Sequence, residues 1–344
     1  MAGKSTANLV KAQAKLIGAF QSSELRYTYP ATYLALKAMT PVMFPNYLDL
    51  KTREDRAVET NYITRASRSA GSARTHNHTG AAQGSSTVTP TWATYSDAFT
   101  MSLKQADTNL YSADEQLYNE ISNAVANLME SYESAAVAYL VAQRTAAGYV
   151  STGDAVFNAT YNTFEIASTN ATRGMQITKV AMMANKFPAG YTVFCDSTSY
   201  ANFEYQAAQG ISNSTNLSFQ FNGVTFVHSV GLGAAAAVIK STYTKGYWIV
   251  VPNGTVATLP WIPIQNRNGV ETPVGSYSNI INPVDGESYA VHTYMTAASA
   301  SSVLDVNGYA QDVVTQYELS QDISFVKAPS STSSSSTILA FTQL

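Results

Sequence analysis

Four short stretches carry residue types that could do chemistry. GKST at Gly3–Thr6 has the ending of a phosphate-binding loop, where a lysine reaches phosphates cradled by backbone N–H groups. The upstream glycine and strand that such a loop needs are missing, so the match fails. GLGAAAA at Gly231–Ala237 follows a strand-like run, as a dinucleotide-binding turn does. That turn needs an acid about twenty residues later to hold a ribose hydroxyl. No Asp or Glu occurs between Glu204 and Glu271. His76-Asn-His78 offers two imidazoles to a metal, but its Gly/Ser-rich surroundings supply no third ligand. These histidines read as solvated loop residues. Cys195, the single cysteine, lies in the apolar run YTVFC and reads as a buried structural thiol. His228 and His292 sit in strand-like runs and read as core or interface residues. No Ser/His/Asp arrangement and no carboxylate pair is singled out by spacing. The search leaves no catalytic, cofactor-binding or metal-binding residue.

Composition points away from other partners. The chain has 344 residues, enough for one large domain or two modest ones. Hydrophobic residues make up 45%, but charged residues only 12%, about half the usual share. Its surface must therefore be mostly Ser, Thr, Asn, Gln and Tyr, which suits large packed interfaces because few charges need desolvating. A net charge of −3 predicts no strong affinity of the whole chain for nucleic acid or acidic lipid. No signal peptide or membrane span is expected: Lys4, Lys11 and Lys15 interrupt the first segment, and no window is apolar enough.

The elements follow from periodicity. Ser5–Phe20 sets Leu9, Leu16, Ile17 and Phe20 on one helical stripe, a short amphipathic helix docked on a neighbour rather than on a membrane. A second short helix is expected over Ala31–Met39. Ser112-Ala-Asp-Glu115 is a capping box. Beyond it Leu117, Ile121, Val125, Leu128, Tyr132, Ala136 and Tyr139 keep the helical rhythm, with Gly148 as the stop. That is a helix of roughly 33 residues, about 50 Å, lying on a sheet. Ala155–Ile166 reads as strand or hairpin and Thr178–Lys186 as a short helix. Tyr191–Cys195 reads as a buried strand, with Asp196 or Ser197 capping the helix after it. VTFVHSV, Ala234–Lys240 and Gly246–Pro252 read as further strands, apolar enough to be covered on both faces. Tyr289–Val326 holds more strands, and SSTSSSSTILAFTQL begins as low-complexity linker.

The stretch Arg65–Pro90, RASRSAGSARTHNHTGAAQGSSTVTP, has three arginines, two histidines, no acid and almost no large apolar residue. Lys51–Ile63 before it is β-prone at its end, and TWATYSDAFTMSLKQ after it alternates like a half-solvated strand. The expectation is a long hairpin arm whose tip buries too little to offset its ordering entropy and waits for a partner.

This order of parts resembles the major capsid proteins of tailed bacteriophages, with the Hong Kong 97-type fold. NKFPAGYTVFCDSTSYANF is similar to that family's helix–strand–helix entry to its axial domain. FNGVTFVHSV and KGYWIVVPNGTV are similar to its later strands. The resemblance covers roughly residues 20–328 and is one of layout. It implies an α+β fold with a spine helix, a β-hairpin arm and an α/β axial domain. The implied division is 1–49 N-terminal arm, 50–105 extended loop, 106–174 with 301–330 peripheral domain, 175–300 axial domain and 331–344 tail. It implies a non-enzymatic protein without cofactors that assembles with itself into hexamers and pentamers around double-stranded DNA, bound non-specifically, with no membrane partner. It places the chain in the virion after assembly in the host cytoplasm, with scaffold, portal and decoration proteins as further partners. Arg65, Arg68, Arg74, His76 and His78 are the expected intersubunit contacts of the extended loop. The loop has no lysine between Lys51 and Lys104, so the shell is expected to lack the covalent lysine welds of some members. About twenty residues precede the arm, so a separate scaffold or none is expected. The alternatives are an encapsulin-like nanocompartment shell and a secreted β-rich binding or hydrolytic protein.

Overall fold

A computed structural model describes residues 2–21, 30–56, 59–64, 82, 84–102, 112–147, 149–187, 190–208, 218–221, 223–273, 275–296, 314–329 and 335–344. It is an α+β structure, as expected. Helix α1, Ala2–Gln21, turns Leu9, Ala12, Leu16 and Ala19 inward at three- and four-residue spacing. Helix α2, Ala31–Met43, runs through Pro41, four residues beyond the expected end. Strands β1, Thr60–Thr64, and β2, Gly84–Val88, form an antiparallel hairpin, and β3, Ala93–Ser102, follows.

The spine helix α3, Ala113–Ala142, starts where its capping box predicts. The Glu115 N–H donates to Ser112 Oγ at 3.3 Å, and the Ser112 N–H donates to Glu115 Oε2 at 3.0 Å. Its 30 residues span about 45 Å at 1.5 Å each. Its buried stripe from Leu117 to Leu140 includes six of the seven residues that its periodicity predicts, and Tyr139 is partly buried. It ends at Ala142, before Gly148, which lies outside the described residues. Four tyrosines from four elements meet halfway along it. Tyr132 of the spine lies 5.2 Å from Tyr33, 5.4 Å from Tyr95 and 6.2 Å from Tyr289, ring centre to ring centre.

The rest of the chain builds two sheets. In order come β4 (Ala155–Asn158), β5 (Thr163–Ile166), α4 (Gly174–Ala184), β6 (Tyr191–Cys195), α5 (Ser197–Ala208), β7 (Ser218–Phe221), β8 (Val224–His228), α6 (Leu232–Ile239) and β9 (Tyr247–Pro252). Then come β10 (Val256–Trp261), α7 (Ile264–Asn268), β11 (Glu271–Thr272), β12 (Gly275–Ile281), β13 (Ser288–Thr296), β14 (Val314–Lys327) and β15 (Leu339–Gln343). The first sheet has the order β4-β5-β15-β9-β6-β8-β7. Its central strands β6 and β9 are buried along their whole length, as strands covered on both faces are. Along β9, Tyr247, Ile249 and Val251 join the spine-side core, while Trp248 and Val250 join the core under α4 and α5. The second sheet runs β10-β14-β13-β12-β11, with β3 on the other edge of β14.

Several sequence expectations need correction. The return strand of the hairpin is Gly84–Val88, within the stretch expected to be a bare tip. The segment after Pro90 is a strand, but it pairs with β14. Its alternating Tyr95, Phe99 and Met101 need a core to face, and the spine-side core supplies it. Ala234–Lys240 is not a strand but the body of helix α6. Its four alanines favour helix and disfavour strand, a preference stronger here than the apolar run. Helix α4 begins at Gly174, ahead of Thr178. The tail does not stay a linker. β15 inserts between β5 and β9, and Ile338 accepts from the Thr145 N–H just beyond the spine.

Candidate assembly surfaces

Among the described residues the hairpin forms a two-stranded sheet of its own, with Thr60 opposite Val88 and Thr64 opposite Gly84. Val88 packs against the small core of Phe44, Ala257, Leu259 and Val326. Away from that end Asn61, Gly84, Ser85 and Thr87 are exposed. A lone two-stranded hairpin is marginally stable in water, so this one needs further contacts to hold its shape.

Its root, by contrast, is built firmly. Trp261 at the end of β10 is flanked by two guanidinium groups, Arg56 at 5.4 Å and Arg267 at 5.3 Å from its ring centre. Arg56 Nη1 pairs with Asp322 Oδ2 at 2.9 Å, and Thr94 Oγ1 donates to the other oxygen of Asp322. Arg267 Nη1 donates to the Arg53 carbonyl at 2.8 Å, and Trp92 Nε1 to the Arg56 carbonyl at 3.2 Å. Stacked guanidinium–indole pairs contribute about 0.5–2 kcal/mol each, depending on exposure. The segment entering the arm is thus fixed to β10, α7 and β14 before the hairpin departs.

A second fastening ties α2 to the spine. Pro30 precedes α2 and no side chain of its own cap accepts its first N–H groups. Glu133, from the middle of the spine, does so across space. Thr32 N and Tyr33 N donate to its Oε2 at 2.9 and 3.1 Å. A carboxylate there also meets the positive end of the helix dipole. Burial raises the Glu133 pKa, and these hydrogen bonds oppose the rise. Nearby, Lys37 pairs with Glu287 at 2.9 Å, and Asp285 accepts from the Tyr33 and Tyr289 hydroxyls at 3.1 and 3.2 Å. Burial raises the Asp285 pKa, with Lys37 opposing it, and burial also pushes Tyr33, Tyr132 and Tyr289 well up.

On the far face of the first sheet, α4 and α5 leave an apolar cleft of about 240 Å³ lined by Met175, Val180, Met183, Phe203, Phe226 and Trp248. Val180 and Met183 on its rim are 54% and 66% exposed. A third polar cluster closes the β4–β5 hairpin. Glu165 Oε1 accepts from Lys240, Tyr243 and Asn158 at 2.9, 2.8 and 3.1 Å, and the Lys240 ammonium lies over the Tyr161 and Tyr243 rings. Burial pushes Glu165 up, but the hydrogen bonds from Lys240, Tyr243 and Asn158 outweigh it and hold the carboxyl below its usual range.

The expected arm contacts Arg65, Arg68, Arg74, His76 and His78 all lie outside the described residues. The weak chemical motifs receive structural roles instead. Gly231 and Gly233 lie at the start of α6, against Val137 and Asp196. Cys195 is fully buried, and burial pushes its thiol well up. His228 contacts Ser197 Oγ at 3.0 Å, and His292 stacks on Tyr277 at 4.6 Å. Among the described residues no group of three or more His, Cys, Asp or Glu could hold a metal, and no helix is long and apolar enough to cross a membrane. The Trp261 stack and the Glu133 cap escaped the sequence reading. The Arg56–Trp261 stack and the Glu133 cap join residues 100 or more positions apart, and neither has a local motif.

No protein-family model matches the chain, and no curated protein does. The chain is similar to a solved structure described as Mycobacterium phage Che8, at 11% identity over 86% of this chain and 90% of that one, TM-score 0.48. It is similar to one described as Cyanophage Pam1 capsid asymmetric unit, at 10% identity over 86% and 87%, TM-score 0.48. A third is described as the asymmetric unit of bacteriophage PhiM1 mature capsid, at 10% identity over 84% and 82%, TM-score 0.44.

Proposed function

We propose that the chain is a structural major capsid protein of the Hong Kong 97 type. In this reading it assembles into hexamers and pentamers of an icosahedral phage head that encloses double-stranded DNA. The hairpin carries the reading: a firmly rooted, two-stranded sheet that pairs with no other strand among the described residues. Such an element is completed by another copy, because its unpaired strand edges are templates for pairing. The low charge of 12% fits a surface given over to contacts between copies.

The division into N-terminal arm, extended loop 50–105, peripheral domain 106–174 with 301–330, axial domain 175–300 and tail belongs to this proposal. So do the contacts of Arg65, Arg68, Arg74, His76 and His78 with neighbouring copies. Each such pair contributes little alone, ~0–1 kcal/mol, and acts by repetition. Catalysis has no place in the role. Scaffold, portal and decoration proteins are the further partners it implies.

Negative-stain imaging of the expressed chain tests the reading, with shells or capsomer rings expected. Monodisperse monomers under all assembly conditions would overturn it. Nucleic acid within particles isolated from infected cells distinguishes a head from a cargo-filled nanocompartment. A denaturing gel of particles should show only the monomer band, because the extended loop carries no lysine between Lys51 and Lys104.

A further inference from the structure

One cavity is a consequence of how the second sheet is laid out. Strands β13 and β10 share the same edge of β14. β13 pairs with Val314–Ser320, and β10 pairs with Asp322–Lys327. Gln321 falls between them, where one strand begins and the other ends. The opening there is a cavity of about 200 Å³, lined by Trp261, Arg267, Asn279, Glu287, Ser288 and Gln321, among others. At roughly 30 Å³ per water, it has room for about six waters or a small organic group.

The groups on its wall with no hydrogen-bond partner among the described residues include two neutral ones, the Trp261 indole N–H and Gln321 Oε1. Gln321 is only 2% exposed, and its Nε2 donates to the Ser288 carbonyl at 3.1 Å, which turns its oxygen away from that strand. Leaving such groups unsatisfied costs about 1–3 kcal/mol each. The carboxylate on the wall is paired elsewhere, and two of the three guanidinium nitrogens are engaged as well. Glu287 pairs with Lys37, and Arg267 donates to the Ile262 and Arg53 carbonyls. The site thus offers one neutral donor and one neutral acceptor beside the Arg267 guanidinium, and only a group that both accepts and donates matches them.

We propose that this cavity binds a primary carboxamide, whose oxygen accepts from Trp261 and whose NH2 donates to Gln321. Two sources present that group: a free small amide, or an Asn or Gln side chain of a second copy of this chain. The second source rests on the proposed self-assembly; the first does not. Arg56 and Arg267 stack on the same Trp261, so an occupant also stiffens the root of the arm.

The test follows the three tryptophan indole N–H resonances of the 15N-labelled, unassembled chain during titration with acetamide, with Trp261→Phe assigning the signal. A saturable shift of the Trp261 resonance supports the site. N,N-dimethylacetamide, which accepts but cannot donate, should bind about tenfold more weakly, and Gln321→Met should weaken acetamide by a similar factor. A shift on self-association without acetamide assigns the source to a second copy. A Trp261 resonance unmoved by both acetamide and self-association means water alone fills the cavity, and the proposal fails. Equal binding of the two amides overturns it as well, without relying on a variant.

Discussion

The seven-stranded sheet and the two-stranded hairpin treat the same problem in opposite ways. The sheet satisfies itself. Its central strands β6 and β9 are buried on both faces, and the last strand of the chain enters its middle, where Phe341 stacks 5.0 Å from Phe164 and 6.1 Å from Trp248. The hairpin satisfies only its root. Arg56, Trp261, Arg267 and Asp322 fix where it leaves the body, and most of its described side chains face outward. Among the described residues the hairpin pairs with no further strand, and on the proposed function another copy completes it.

The contrast can be broken from either side. The largest effect is expected in the sheet. Phe341→Ala should cost about 3–5 kcal/mol, read as a lowered midpoint in denaturant unfolding. An unchanged midpoint would mean that β15 is not part of the folded core. Between the two regions, Glu133→Ala leaves the Thr32 and Tyr33 N–H groups without their acceptor. It should cost about 1–3 kcal/mol, and α2 amides should exchange faster while those of β9 do not.

Two carboxylates should tilt stability in opposite directions with pH. Asp285 has a raised folded-state pKa, so its contribution is present at low pH and lost as pH rises through that value. Glu165 has a lowered one, so its contribution is present above the ordinary carboxylate range and lost as pH falls. Stability measured against pH should therefore lose its fall on the rising side in Asp285→Asn and its fall on the acid side in Glu165→Gln. Matching curves would refute the assigned environments. The smallest effect on stability belongs to the hairpin. Thr60 and Val88 are paired neighbours, about 5 Å apart across the ladder, so a short Gly/Ser linker can replace residues 61–87. The unfolding midpoint should move by less than about 1 kcal/mol while shell formation stops.

Elements with a strong local rhythm were legible in the sequence. The spine was, because a capping box and an apolar stripe agree over 30 residues. So was β6, whose apolar run ends at Asp196. That residue accepts from the Ser199 N–H at 2.7 Å, as the expected cap does. Pairing was less legible. Strand propensity marked residues 93–102, but only tertiary contact decides that they join β14 rather than the hairpin. Helix α6 misled because four alanines beside valine and isoleucine look equally apolar in either conformation. The tail misled because its serines mask the short strand that follows. For the candidate assembly surfaces, the hairpin was visible as a polar excursion between strand-prone segments. Its root was not, because Trp261 and Asp322 meet only through the β10–β14 pairing and Arg56 reaches them from a segment far off in sequence.

Hydrogen exchange of the hairpin amides, Thr60–Thr64 and Gly84–Val88, before and after assembly tests the central claim most directly. In the unassembled chain these amides should exchange far faster than those of β9. In the assembled particle they should become protected while β9 changes little. Hairpin amides already as protected as β9 in the monomer, or unprotected in the particle, would contradict the account.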